Sequence, residues 1–256
     1  MLREALKVLP RERFIYFSDN AYCPYGEKSA DLILERAQEI TNFLLFKGAD
    51  IVVIACNTAT AAAIAALREE YSEPNEKVRM LTRGRLDHVK FIGIEPAVKP
   101  AALGTSSGVV GVLATAGTLA GSKYLGTKEQ WEGNARIVEH VGQGFVELVE
   151  SGDLTGPHAE EVVSRSLHPL LDEGADIIVL GCTHYPFLKG TIQKLAGPGV
   201  RVIDPAPAVV RQLLRVMDEE GIAYEKNAGS PDGAPDVELR SSGPSDALRR
   251  AYGLIF

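Results

Sequence analysis

Short apolar runs punctuate this chain, and most are followed by a stretch in which apolar residues return at helical spacing. Ile51-Val-Val-Ile-Ala55, Phe91-Ile-Gly-Ile94, Val109-Val-Gly-Val-Leu-Ala114 and Ile177-Ile-Val-Leu-Gly181 are continuous rather than alternating. Runs of that kind belong to parallel strands covered on both faces. Arg13-Phe-Ile-Tyr-Phe-Ser18, Ala135-Arg-Ile-Val-Glu-His140 and Val202-Ile-Asp204 read as further strands. The spacing of Leu32, Ile33, Ala37, Ile40, Phe43 and Leu44 predicts a helix from Ser29 to Lys47, stopped at Gly48. More helices are expected from Asn57 to Tyr71, Gln143 to Glu150, Glu160 to Leu171, Pro186 to Leu195 and Ala206 to Glu219. A short amphipathic helix opens the chain at Met1-Leu-Arg-Glu-Ala-Leu-Lys7. Another closes it near Ser245 to Tyr252, beyond an Asn-Ala-Gly-Ser-Pro-Asp-Gly loop.

Alternation of strand and helix predicts βαβ units on parallel sheets. The pattern restarts after Pro100, so the fold class expected is α/β, with two doubly wound parallel-sheet domains and an active site in the cleft between them. The boundaries are placed at residues 1–96 plus 207–256 for the first domain, which carries Cys56. Residues 97–206 form the second, which carries Cys182. Ser72 to Lys90 breaks the rhythm: it is polar and charged with no clean period, and reads as a solvated surface excursion.

Composition narrows the function. A net charge of −7 argues against a protein that coats nucleic acid. No apolar run approaches the roughly 20 residues of a membrane span, and the first residues lack the apolar core of a signal peptide. Three cysteines without framework or metal-ligand spacing point to free thiols in a reducing cytoplasm. Cys23 reads as a small buried hydrophobe.

The other two cysteines share a position. Cys56 ends Ile51-Val-Val-Ile-Ala-Cys56 and precedes Asn57-Thr58; Cys182 ends Ile177-Ile-Val-Leu-Gly-Cys182 and precedes Thr183-His184. Each follows a strand and precedes a helix, the place where doubly wound sheets bind ligands. The helix N-terminus is expected to favour thiolate over thiol. Two thiols on opposite faces of one small ligand can remove a proton from carbon and return another to the other face, which inverts the centre. Asn57, Thr58, Thr183, Thr115, Thr118 and adjacent backbone N–H groups can hold carboxylates. Tyr25 and Gly26 can close over the ligand. His184 can orient the Cys182 thiol, with Glu150 orienting the histidine in turn. A thiol protease or transferase built on Cys182 and His184 alone is the competing reading.

These residues carry a resemblance. Ala55-Cys-Asn-Thr-Ala-Thr60 and Leu180-Gly-Cys-Thr-His-Tyr-Pro-Phe-Leu188 resemble the glutamate racemases of bacteria. Pro24-Tyr-Gly-Glu-Lys28, Gly93-Ile-Glu-Pro-Ala-Val-Lys-Pro100 and Val112-Leu-Ala-Thr-Ala-Gly-Thr-Leu119 are similar to the same family. Aspartate racemases share the two-cysteine plan, but His-Tyr-Pro after Thr183 resembles the glutamate enzymes. The resemblance implies interconversion of L- and D-glutamate without a cofactor, supplying D-glutamate for peptidoglycan in the cytoplasm. It implies Cys56 and Cys182 as catalytic thiols, with Tyr25, Gly26, Asn57, Thr58, Thr183 and His184 at substrate-contacting positions. Glu150 matches the acidic partner of the histidine, and Asp19 sits where the family also has an aspartate. A small-molecule substrate and a homodimer are expected, with neither nucleic acid nor membrane as partner and no metal.

The resemblance also exposes two departures. Family members begin with a strand ending in an Asp-Ser-Gly-x-Gly-Gly loop that binds substrate and assists the first thiol, and Met1-Leu-Arg-Glu-Ala matches the helix after it. The expectation is therefore a truncated chain of weak or no activity, or an impaired amino-acid-binding homologue. The excursion at 72–90 is longer than the family's usual link and is expected to affect surface or assembly.

Overall fold

A computed structural model describes residues 1–224, 236–244 and 253. The loop and closing helix expected beyond Tyr224 lie outside the described residues. Along the chain the elements begin with α1 (Leu2–Val8), β1 (Phe14–Ser18), α2 (Ala30–Phe46), β2 (Ile51–Ile54), α3 (Asn57–Glu70), α4 (Glu76–Thr82) and β3 (Lys90–Gly93). They continue with α5 (Val98–Gly104), β4 (Val109–Ala114), α6 (Ala116–Leu119), α7 (Ser122–Trp131), β5 (Arg136–Val141) and α8 (Phe145–Ser151). Last come α9 (Pro157–Asp172), β6 (Ile177–Gly181), α10 (Lys189–Ala196), β7 (Arg201–Ile203), α11 (Ala206–Glu219) and β8 (Val237–Ser241). No helix among the described residues is long and apolar enough to cross a membrane.

The chain divides into two compact units. Unit 1 comprises Met1–Ala55, Ala62–Gly93 and Ala206–Phe256; unit 2 comprises Cys56–Ala61 and Ile94–Pro205. The sequence-based division puts Cys56 in the first domain. The structure groups it with unit 2 because the next residues bond there: Thr58 Oγ1 meets the hydroxyls of Thr115 and Thr118, and Thr60 Oγ1 accepts the Ile94 N–H.

Unit 2 holds one parallel sheet in the order β5-β4-β6-β7. Its two faces are sorted by strand alternation. Leu113, Ile178 and Leu180 pack with Leu167 and Leu170 of α9 and with Tyr185. Val110, Val112 and Val179 pack with Val98 and Ala101 of α5. Helices therefore cover both faces, as the continuous apolar runs required. Because the chain leaves β4 for β5 on one side and returns to β6 on the other, the topological switch lies between β4 and β6. The two strands run close there: a Cβ at Gly181 would come within 2.6 Å of Ala114 Cβ, so glycine is needed just before Cys182.

Unit 1 carries two separate parallel pairs among its described residues, β1 with β8 and β2 with β3, rather than one continuous sheet. Helix α2 is capped by Ser29, whose Oγ accepts the Leu32 N–H. It packs on both pairs, through Phe43 against Phe17 at a ring separation of 5.5 Å and through Leu45 in a cluster with Val52 and Phe91. The 72–90 excursion is more than solvated surface. Asn75 caps α4, and Val78 is fully buried with Leu67 and Tyr71. Charged neighbours hid that helix from the hydrophobic pattern.

Candidate active site

Strand β6 delivers Cys182 to the switch point of unit 2, where only 9% of the residue is exposed. The chain then turns through Thr183 and His184 into a single 3-10 turn, Tyr185–Leu188. His184 Nδ1 lies 3.9 Å from Cys182 Sγ, and its Nε2 is 2.8 Å from Glu150 Oε1 on α8. Burial works against an imidazolium at this place, but the hydrogen bonds to Cys182 and Glu150 outweigh it and hold His184 up to about 9. At neutral pH the ring is a cation beside the Cys182 sulfur.

Tyr185 fixes this corner from beneath. Its hydroxyl donates to the Gly142 carbonyl at 3.1 Å, and its ring packs on Phe145. Burial pushes its phenol far above the ordinary range, so it stays neutral. Gly142 leaves the room: an added Cβ would stand 2.6 Å from the Tyr185 oxygen. The sequence draws attention to Tyr185 only as part of the His-Tyr-Pro motif, and to Gly142 not at all. The approach joins residues far apart in the chain, which local patterning does not encode.

Cys56 stands at the start of α3, where the Ala59 N–H reaches Sγ at 3.5 Å. The expected thiolate preference is not what results. Burial pushes the Cys56 thiol up to about 11, and the nearby Cys182 adds to the rise. The N–H groups of Ala59 and Thr58 and the Thr58 hydroxyl pull the other way without cancelling it. Desolvation therefore outweighs the helix N-terminus here. That Cys182 contributes also means the two sulfurs feel one another within unit 2.

Around Cys56 the polar residues are tightly held. Thr58, Thr115 and Thr118 bring their hydroxyls within 3.0 to 3.3 Å of one another. Asn57 is 3% exposed, and neither atom of its amide has a hydrogen-bond partner. An orphaned buried amide costs free energy, on the order of 1–3 kcal/mol. Such a group is the mark of a side chain held ready for a ligand. It faces a small cavity also lined by Thr118, Tyr124 and the Lys123–Glu95 ion pair.

Of the residues predicted for the site, Cys56, Asn57, Thr58, Thr115, Thr118, Glu150, Cys182, Thr183 and His184 all belong to unit 2. Tyr25 and Gly26 belong to unit 1, in a 3-10 turn where the Tyr25 hydroxyl bonds the Asp19 carboxylate. Arg36 grips the same carboxylate through two nitrogens, at 2.8 and 3.1 Å. Cys23, expected to be buried, is exposed, because it lies in a loop rather than on a packed element.

Two thiols in one unit, the one at the switch point backed by an imidazolium and a carboxylate, are groups able to move protons at carbon, the chemistry of amino-acid racemases. The comparisons with known proteins agree with that class. The profile of the Asp/Glu/Hydantoin racemase family matches residues 1–213. A glutamate racemase of Pseudomonas aeruginosa is 42% identical over 231 residues, covering 90% of this chain and 82% of its own. One from Methylococcus capsulatus is 40% identical, covering 100% of this chain and 87% of its own. The solved Escherichia coli glutamate racemase, in complex with L-glutamate and the activator UDP-MurNAc-Ala, superposes with a TM-score of 0.78. Its identity is 27%, over 99% of this chain and 88% of that one. The chain belongs to the Asp/Glu/Hydantoin racemase family.

Proposed function

We propose that this protein is a glutamate racemase that inverts Cα by proton transfer between Cys56 and Cys182. The observation that carries the reading is the His184 ring held between the Cys182 sulfur and the Glu150 carboxylate, in the same unit as Cys56. Cys56, pushed up to about 11, is a protonated acid at neutral pH. Cys182 has the His184 cation beside it, held by Glu150, and is set to act as the base. In this state Cys182 takes the α-proton of L-glutamate, and the electron pair is delocalised into the α-carboxylate. Cys56 then gives its proton to the opposite face, and D-glutamate leaves with the roles of the thiols exchanged. The reverse direction begins with Cys56 as base, so that Cys56 deprotonates the D-form and Cys182 the L-form. The Asn57 amide and the Thr183 side chain are assigned to the carboxylates of the substrate, and Tyr25 and Gly26 to closure over it.

Solvent deuterium exchange tests this directly. With Cys56→Ala, deuterium should enter L-glutamate without formation of the D-form; with Cys182→Ala it should enter D-glutamate alone. Racemisation left intact by either substitution would refute the two-thiol mechanism. Aspartate offered in the same assay separates the two substrate classes. The reading further assigns the reaction to the cytoplasm as a source of D-glutamate for peptidoglycan. It assigns the active form to a homodimer, which sedimentation equilibrium would check.

A second reading, glutamate binding without turnover, is favoured by the high Cys56 thiol alone. Calorimetry that registers glutamate binding while exchange is undetectable would select it.

A further inference from the structure

Strand β8 runs beside β1 in register from Phe14 with Val237 to Ser18 with Ser241, and the pairing does not stop where the strands do. The Ser242 N–H donates to the Ser18 carbonyl at 3.1 Å, and beyond it a side chain takes over from the backbone. Asn20 Oδ1 accepts the Gly243 N–H at 2.8 Å, while Asn20 Nδ2 donates to the Pro244 carbonyl at 2.9 Å. A carboxamide carries the same donor and acceptor as a peptide unit. Asn20 therefore continues the ladder with its side chain while its backbone turns away. Gly243 is fitted to this contact: a Cβ there would stand 2.9 Å from Asn20 Oδ1 and 3.2 Å from the Ala21 nitrogen.

The turn that leaves Asn20 is the one that carries Tyr25 and Gly26, and two sets of contacts hold it. The Tyr25 hydroxyl bonds the Asp19 carboxylate, which Arg36 grips, and the Tyr22 ring lies 4.1 Å from the Arg36 guanidinium. These tie the loop to α2. Asn20 and the Ser242 hydroxyl, which accepts the Ala21 N–H at 3.2 Å, tie it to the end of β8. Residues 21–24 are exposed, so little apolar burial fixes this stretch and its polar contacts set its position.

We infer that Asn20 is a positioning residue for the substrate: it clips the loop of residues 19–26 to Gly243 and Pro244, and so sets where Tyr25 and Gly26 stand. For its purpose this rests on the proposed closure of those two residues over glutamate; the clip itself is tested without substrate. It gives the end of β8, 223 positions further along the chain, a part in shaping the site. A surface loop opens at little cost. With the clip removed, displaced positions compete with the closed one, and apparent affinity falls with the population lost.

Amide hydrogen exchange of the full chain, read by mass spectrometry without glutamate, compares a peptide spanning residues 19–26 with a control peptide from α9. Asn20→Ala removes both side-chain bonds. It should speed exchange of the bonded Ala21, Tyr22 and Cys23 amides roughly fivefold, with α9 unchanged. Asn20→Asp keeps the size and the acceptor but sets a second oxygen against the Pro244 carbonyl, so it should loosen the loop as alanine does. Gly243→Ala strikes the same contact from the other side and should speed the same amides. In steady-state racemisation Asn20→Ala should raise the glutamate KM roughly three- to fivefold, with kcat within about twofold.

Unchanged exchange at residues 19–26 in Asn20→Ala overturns the inference. So does an equal rise in α9, which would mean general loosening, or an Asn20→Asp variant that matches wild type, which would point to packing. Tyr25→Ala separates the clip from the closure it is proposed to serve. If Tyr25→Ala raises KM and Asn20→Ala does not, the positioning role is overturned. If neither raises it, the closure reading fails, and exchange alone still supports or overturns the clip. Should Asn20→Ala lose its folded circular dichroism spectrum, Gly243→Ala is read the same way.

Discussion

Replacing Glu150 by glutamine removes one charge from the site and keeps its shape, and its effect can be worked out from the geometry. His184 is raised from 6.5 to about 9. That difference corresponds to about 3.5 kcal/mol of preference for the charged ring, at ~1.4 kcal/mol per pH unit. It is shared between Cys182 and Glu150 against the opposing effect of burial. The Glu150 side chain is 46% exposed, so water screens its part. Glu150→Gln should therefore withdraw about 1 kcal/mol and lower the His184 midpoint by about one pH unit. The pH dependence of stability follows from the sign. A histidine raised by folding contributes fully below 6.5, and that contribution disappears as the pH climbs through about 9. Two-dimensional NMR of the imidazole C–H groups, with His184→Gln for assignment, reads the midpoint. Urea unfolding should show a gap between wild type and variant of about 1 kcal/mol near pH 6 that closes near pH 10. A midpoint that stays at about 9 in the variant, or a gap of equal size at both pH values, would refute the assignment of Glu150 as partner of the cation.

Other substitutions test the frame around the site. Asp19→Ala should cost about 2 kcal/mol in urea unfolding, because Arg36, whose side chain is only 13% exposed, loses its two-nitrogen grip and keeps Glu39 as its carboxylate partner. Burial raises the Asp19 carboxyl, but hydrogen bonds from Arg36, Tyr25 and Ser242 overcome this and hold it below the usual range, so the wild-type advantage should fade as the pH drops through that lowered value. Gly142→Ala drives a methyl group into the Tyr185 ring and should cost about 2 kcal/mol, read as a lowered thermal midpoint together with slower racemisation. Burial opposes the His88 cation, but Asp87, Glu220 and Glu73 hold it above its ordinary value. His88→Gln should therefore lower stability at acidic and neutral pH and converge with wild type in alkali; parallel curves would count against that clamp.

How far these features could be read from the chain follows from the range of the interactions that make them. Strands β4 and β6 were legible because helices bury both their faces, which forces continuous apolar runs. Helix α4 was not: one buried valine anchors it, and the charges around Val78 mask a short period. Helix α5 was hidden by Pro100, which would break a helix interior but is tolerated here in the first turn, where its missing N–H has no intrahelical acceptor. Strand β8 pairs with β1 from the far end of the chain, in register from Phe14 with Val237, and nothing local announces a partner so distant.

The site divides along the same line. Both cysteines were legible from position, because a strand that ends at a helix start in a parallel sheet has its carboxyl end at the ligand-binding edge. Their chemistry was not, because the ionisation of a thiol depends on what surrounds it in three dimensions. Equivalent positions in two strand–helix junctions suggested equivalent thiols. The structure makes them unlike: Cys56 is half-buried and its thiol is pushed up to about 11, while Cys182 stands beside a histidine cation tied to Glu150. Two like groups close together lose their protons in separate steps even with matched surroundings, and unlike surroundings decide which of them ionises first. The difference lies partly in the motifs themselves, with Thr58 and Ala59 after Cys56 and His184 after Cys182, and partly in Glu150, which α8 brings to the histidine from elsewhere in the chain.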